Sequence, residues 1–340
     1  MIAILKREWK SYFQNITGWL FIAAVLALYG LYFLAYNLRA GYPYVSYTLS
    51  AISFIMLIAV PILTMRSMAE ERHSRTDQLV LTAPVSLGKM IFGKFLAMVG
   101  VFTVAVAVIA VTPLVLAAFG TVPLGENYVA VLGFWLYGCT CIAVGMLASA
   151  LTESQVIAAV VAFAFLFLGY MMNSITGLIG DHLVTKVLGA YDLYTPLQSF
   201  MSGCLDLTGV VYFVSVTGLC LFLTCQCVQK RRWSMTTKKL TTGMFSVAMI
   251  VVGFAVAVAV NLVVKEMPSS WTAVDATSTK LYSLTDTTKD YVKNLSQDVT
   301  IYVLSSEKSA DSTLAETLQR YEDLSKHLKV VYKDPAKSPN

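Results

Sequence analysis

Few side chains in this sequence are equipped for chemistry. The thiols are Cys139, Cys141, Cys204, Cys220, Cys225 and Cys227, and the imidazoles are His73, His182 and His327. Cys225-Gln226-Cys227 has the spacing of half a metal or redox site, but no second pair or nearby histidine completes four ligands. The alternative is that the cysteines are small apolar fillers, and we assign them no function. No Gly-x-Ser-x-Gly or His-Glu-x-x-His occurs, nor any Gly-x-x-x-x-Gly-Lys-Ser/Thr phosphate loop. We therefore expect no catalytic residue, no metal site and no cofactor bound by this chain. What remains is charge, concentrated in Glu70-Glu71-Arg72 at the start of a polar segment running from Met68 to Phe95. Such residues suit ion pairing across a protein surface, or simple solvation.

The elements that must carry this segment follow from composition. Of 340 residues, 57% are hydrophobic and 13% charged, with a mean hydropathy of +0.67. A soluble domain carries about 25% charged residues, so this chain reads as one whose solvent is lipid. Seven apolar runs, 19–38, 47–65, 95–119, 128–151, 156–178, 210–228 and 244–264, are long enough to cross about 30 Å of hydrocarbon as helices. Residues 1–13 are charged and amphipathic, and the first apolar run is a full span, so we expect no cleavable signal peptide. Ile2, Leu5, Trp9, Tyr12 and Phe13 share one helical face, opposite Lys6, Arg7 and Lys10, as an interfacial helix would.

Orientation follows from the basic residues. With the N-terminus inside, Lys6, Arg7 and Lys10, then Arg66, Arg72, Arg75, Lys89 and Lys94, then Lys230, Arg231, Arg232, Lys238 and Lys239 are cytosolic, and only Arg39 and Lys186 lie in the opposite loops. The seventh span sends everything after Lys265 outside. That tail is polar and patterned like a soluble α/β unit. We expect a helix over 285–295 capped by Thr285, a strand over 299–304, a helix over 312–328 and a strand over 329–332. A unit this small cannot cover both faces of a sheet, so the sequence reads as part of a longer protein.

No ionisable residue is expected in the middle of a span, which disfavours a secondary transporter. Glu70 to Leu81 can form an interfacial helix, with Pro84 marking a break before the next helix. A charged hairpin of this kind is something a motor subunit could grip. The alternative is a solvated loop whose cations set topology.

The order Glu70-Glu71-Arg72, Thr76, Leu79 and Leu81, Pro84-Val85-Ser86 and Gly93-Lys94 resembles the cytosolic loop of ABC-2-type exporter permeases. Many members of that family carry Gly before the Thr, where this chain has Arg75. Tyr194 to Gly203, followed by Asp206-Leu207-Thr208 and Tyr212-Phe213, resembles the outer segment before the last span of the gliding-motility and nitrous-oxide-maturation permeases, whose short helices dip into the outer leaflet. Leu183, Val187, Leu188, Leu197 and Phe200 supply apolar faces for that. The string Asp275 to Thr285 followed by 299–304 resembles the start of the extracytoplasmic auxiliary protein of gliding-motility-type systems.

The resemblance implies an α-helical polytopic membrane protein: a six-helix permease with its interfacial helix over 1–235, a basic linker and seventh transmembrane helix over 236–265, and an incomplete extracytoplasmic α/β domain over 266–340. It implies a non-catalytic subunit of an ATP-driven exporter in the cytoplasmic membrane. A separate ABC ATPase subunit would bind ATP and Mg, a second copy or related permease would pair with this one, and lipid rather than nucleic acid would surround it. Glu70, Glu71, Arg72, Thr76, Pro84 and Ser86 are the expected contacts with the ATPase. The alternative is a mechanotransmitter that moves the external domain with no substrate flux.

Overall fold

The computed structural model describes residues 2–75, 86–179, 189–233, 239–265, 267, 273–275, 286–295, 297–305 and 312–333. Six helical stretches are long and apolar enough to cross a membrane: Ile16–Arg39, Ser46–His73, Leu87–Ala117, Leu124–Leu151, Gln155–Leu178 and Leu207–Gln229. Their lipid-compatible surface is explicit in Leu20 and Leu31 on the first and Val156, Ile157 and Val160 on the fifth, all exposed and apolar. A helix keeps every backbone amide bonded within its own segment in such surroundings.

The chain opens with α1 (Ile2–Gln14), followed by α2 (Ile16–Phe33), which runs on into a π-helical turn, Leu34–Arg39. Then come α3 (Ser46–Thr64) and α4 (Arg66–His73). The third span is α5 (Leu87–Ile109), and the chain restarts as α6 (Thr112–Ala117) with Pro113 in its first turn, where a missing N–H costs nothing. Next follow α7 (Leu124–Leu151), α8 (Gln155–Ile179), α9 (Tyr194–Met201), strand β1 (Cys204–Asp206), α10 (Leu207–Trp233) and α11 (Lys239–Lys265). Helix α11 has 27 residues, of which Ala248–Val264 form an apolar run.

Helix α7 is the hub, in contact with α3, α4, α5, α8, α9 and α10. Small residues let the neighbours close on it. A Cβ at Gly133 would strike Phe200 of α9, one at Gly138 would strike Phe102 of α5, and one at Gly145 would strike Thr64 of α3. At one end of the bundle two buried asparagines pin the 40–45 connection. Asn37 donates to the carbonyls of Tyr42 and Tyr44, and Asn127 donates to Pro43 and accepts from the Val45 amide. We call this the far end, and the end that holds α1 and α4 the basic end.

Beyond α11 lie β2 (Ala273–Asp275), α12 (Asp286–Lys293), β3 (Val299–Val303), α13 (Ser312–Leu324) and β4 (Leu328–Tyr332). Strands β3 and β4 pair in parallel with α13 as the crossover, the β-α-β order expected from the pattern. Thr285, the expected cap, lies outside the described residues. Strand β2 pairs elsewhere, antiparallel to β1.

Two expectations change. The third span begins at Leu87 rather than 95, because Met90, Ile91, Phe95, Met98, Phe102 and Ala105 form a buried stripe at helical spacing from its first turn. The segment before α10 does not lie on the surface: Leu197 and Phe200 of α9 are fully buried in the bundle core, while Leu183, Val187 and Leu188 lie outside the described residues.

Candidate functional site: an ion-pair cluster at the basic end

At Met65 the second span is interrupted, and α4 begins as a separate helix. A helix start leaves its first amides without partners, and Met65 has no side chain to cap them. The cap comes from α7. Ser149 Oγ accepts from the amides of Met68 and Ala69, each at 3.1 Å, and donates to the Met65 carbonyl at 3.0 Å. One buried hydroxyl thus holds both sides of this junction against the hub helix.

This fixed start aims three consecutive charges at three different elements. Glu70 pairs within α4 with Arg66, whose Nη2 is 2.8 Å from Oε1 and which also reaches Thr17 of α2. Glu71 meets Lys94 of α5 at 2.6 Å and Arg7 of α1 at 3.7 Å. Arg72 meets Glu153, in the connection after α7, at 3.1 Å. Lys94 is 3% exposed and donates to the Ser67 carbonyl at 2.9 Å, so its charge is compensated on two sides, as a buried ammonium requires. Nη1 of Arg72 is buried without a hydrogen-bond partner among the described residues.

Helix α1 closes the cluster from the side. Arg7 also bonds Glu8 at 2.6 Å, and this carboxylate, with Glu71 beyond it, holds the guanidinium above its ordinary pKa. Ile4, Tyr12 and Phe13 pack on the bundle, and burial pushes the Tyr12 phenol up. Trp9 lies over Gly100 of α5, in the space a Cβ there would take. Helix α1 is therefore docked to α5 and α2, with Lys6 and Lys10 left exposed.

A profile of the ABC-2 family transporter proteins matches residues 41–228, more than half of the chain. The chain belongs to the ABC-2 family. A second profile, a domain of unknown function (DUF7088), matches residues 278–340. No curated protein matches the chain. The protein is accordingly a multi-pass permease, and a permease domain of this family is a transmembrane, generally non-catalytic subunit.

In this permease the structure brings Glu70, Glu71 and Arg72 together on α4, each with its own partner. Ser86 is exposed at the N-terminus of α5, with its carbonyl accepting from Met90 and its side chain making no cap. Thr76 and Pro84 lie outside the described residues. The expected interfacial helix from Glu70 to Leu81 is corrected over its described part: α4 starts at Arg66 and closes at Ser74. Arg75 then takes φ 56°, with its amide on the Arg72 carbonyl. That left-handed position after a helix is where glycine is preferred, which gives the departure from the family pattern at Arg75 a physical meaning.

Residue types alone did not reveal Lys94, Arg7, Glu153 or Ser149. Lys94 reads as a loop cation until the stripe Met90, Ile91, Phe95, Met98 is followed, and then it falls on the buried face of α5. No local signal marks Ser149, because the amides it caps lie about 80 residues away in sequence.

Proposed function

We propose that this permease is the membrane-spanning subunit of an ATP-driven exporter, and that α4 with the segment leading to Ser86 receives the stroke of a separate ABC ATPase subunit. The observation that carries the reading is the mounting of α4. Through Ser149, Lys94, Arg7 and Glu153 this short charged helix is tied to the hub, the third span and α1 at once, so a push on it is delivered to several spans together. In this reading the basic end faces the cytoplasm of a cell with the permease in its cytoplasmic membrane, the ATPase holds ATP and Mg, and two permeases pair around the path. The apolar spans suit a lipid-like or amphipathic cargo. The gliding-motility and nitrous-oxide-maturation type, joined to the start of its auxiliary protein, is the finer assignment we favour. Its support is the second profile match, which begins at Ser278 inside the Asp275 to Thr285 string.

The test is mild detergent purification of the tagged chain with mass spectrometry and an ATPase assay, for wild type and Glu70→Lys. Glu70 is suitable because its ion-pair partner among the described residues is the half-buried Arg66 of the same helix, whereas a cation at Glu71 would face Lys94 and Arg7 and unsettle the fold itself. Recovery of a Walker-motif ATPase with wild type and its loss with Glu70→Lys, at unchanged melting temperature, supports the reading. Failure to recover an ATPase under conditions that preserve a known complex refutes the coupling. Substrate flux in vesicles separates export from mechanotransmission, in which ATP is hydrolysed and nothing crosses.

A further inference from the structure

Strands β1 and β2 belong to different parts of the chain. Strand β1 sits in the permease match, between α9 and α10, and β2 lies after the seventh helix, just ahead of the 278–340 match. They pair antiparallel with Cys204 opposite Asp275, Leu205 opposite Val274 and Asp206 opposite Ala273. We infer that the far end of the permease, at the corner α9–β1–α10, is a docking surface for the chain's own C-terminal unit, captured by strand addition, so that this unit rides on the sixth span instead of trailing from the seventh on a free tether. The inference holds whether or not an ATPase drives the permease.

Three features make the corner a rigid receptor. Gly203 enters β1 with φ 81°, a turn that a side chain would strain. Asp206 ends β1 and caps α10, accepting from the Thr208 amide at 2.9 Å and bonding its hydroxyl. Cys204 is fully buried, and Phe200, one turn before it, is seated against Gly133 of the hub. An edge strand held this way offers a fixed row of backbone donors and acceptors, which is what strand addition requires.

Two further ties converge on the same span. Arg320 of α13, inside the C-terminal unit, reaches the Cys204 sulfur at 3.8 Å. Within the apolar region Asn261 of α11 donates to Ser215 of α10 at 2.7 Å, a polar contact between neighbouring helices that lipid cannot replace. The seventh helix, the seam and α13 therefore all bind the sixth span or the strand continuous with it. Displacement of α10 would carry the C-terminal unit with it.

The test uses the full chain with Cys139, Cys141, Cys220, Cys225 and Cys227 replaced by Ala and a protease site inserted between residues 234 and 238. Cys204 is paired with Asp275→Cys, whose backbone is within disulfide reach in this register. A second pair, Leu205→Cys with Val274→Cys in a Cys204→Ala background, guards against a fault of the first variant. Cys204 with Thr300→Cys is the control. After mild oxidation and cleavage, the seam predicts that both pairs hold the two fragments together, about tenfold or more faster than the control, as for groups fixed in contact against groups on a tether. Separated fragments for both pairs, or rates equal to the control, overturn the inference. Bands of two chains joined together overturn it as well, because the captured strand then belongs to a second copy.

Discussion

Glu71 of α4 and Lys94 of α5 stand 2.6 Å apart, and Lys94 is almost fully buried where its sequence context suggests a loop cation. This pair locks the short charged helix to the third span, and Lys94 completes its contacts on the Ser67 carbonyl. Removing one partner of a buried pair costs about 3–5 kcal/mol, whereas replacing both with apolar or neutral groups of similar size is far milder. Lys94→Ala should therefore lower the melting temperature in detergent sharply, and Glu71→Gln with Lys94→Met should recover most of the loss. A double variant as unstable as Lys94→Ala would show that the pair is not coupled.

Ser149→Ala removes the acceptor for two helix-start amides and the donor to Met65 in one step. A lost cap costs about 1 kcal/mol and a buried unsatisfied group about 1–3 kcal/mol. We expect a destabilisation in that range, with faster hydrogen exchange at Met68 and Ala69. Unchanged exchange at those two amides would contradict the assigned cap.

Arg75→Gly should stabilise the permease. A residue with a Cβ at φ 56° costs about 1–2 kcal/mol, and glycine gives back about 0.5–1 kcal/mol of that as chain entropy. The expected net gain is small and positive, while Arg75→Val should destabilise. Thermal unfolding of the three proteins in one detergent orders them, and the order Gly above Arg above Val is the outcome required.

Gly100→Leu places side-chain atoms where the Trp9 indole lies. The ring is the end of a side chain and can move, so the effect should be undocking of α1 from α5 at a cost of about 1–3 kcal/mol. Trp9 emission, read in a background with the other tryptophans replaced by Phe, should change on Gly100→Leu. The same emission in both proteins would mean that α1 does not seat there.

Much of this architecture was legible from local pattern. Six membrane-length helices and the shorter apolar run Ala248–Val264, among the described residues, follow from hydropathy, because a helix satisfies its own backbone where lipid offers no partner. The β-α-β order of the C-terminal unit follows from the change of period between 3.6 and 2 along 299–332. The early start of α5 is hidden in the hydropathy because Lys89 and Lys94 interrupt the apolar run, although the buried stripe continues beneath them. The docking of α9 leaves no trace in the sequence because eight residues with an apolar face look the same whether that face meets lipid or a glycine notch on a neighbour.

The class of molecule, the positions of the six membrane-length helices and the charged segment on which the family resemblance rests are all legible in the sequence, because each depends on composition or on neighbours within a few turns. Tertiary structure alone decided how α4 is held. Its cap is a serine from α7, its carboxylate partner is a lysine on the buried face of α5, and its third charge finds Glu153. The same applies to the seam between β1 and β2, two three-residue strands too short to announce themselves. Such contacts join residues far apart in the chain, and their energy exists only once packing has brought a donor, an acceptor and a space without water to the same place.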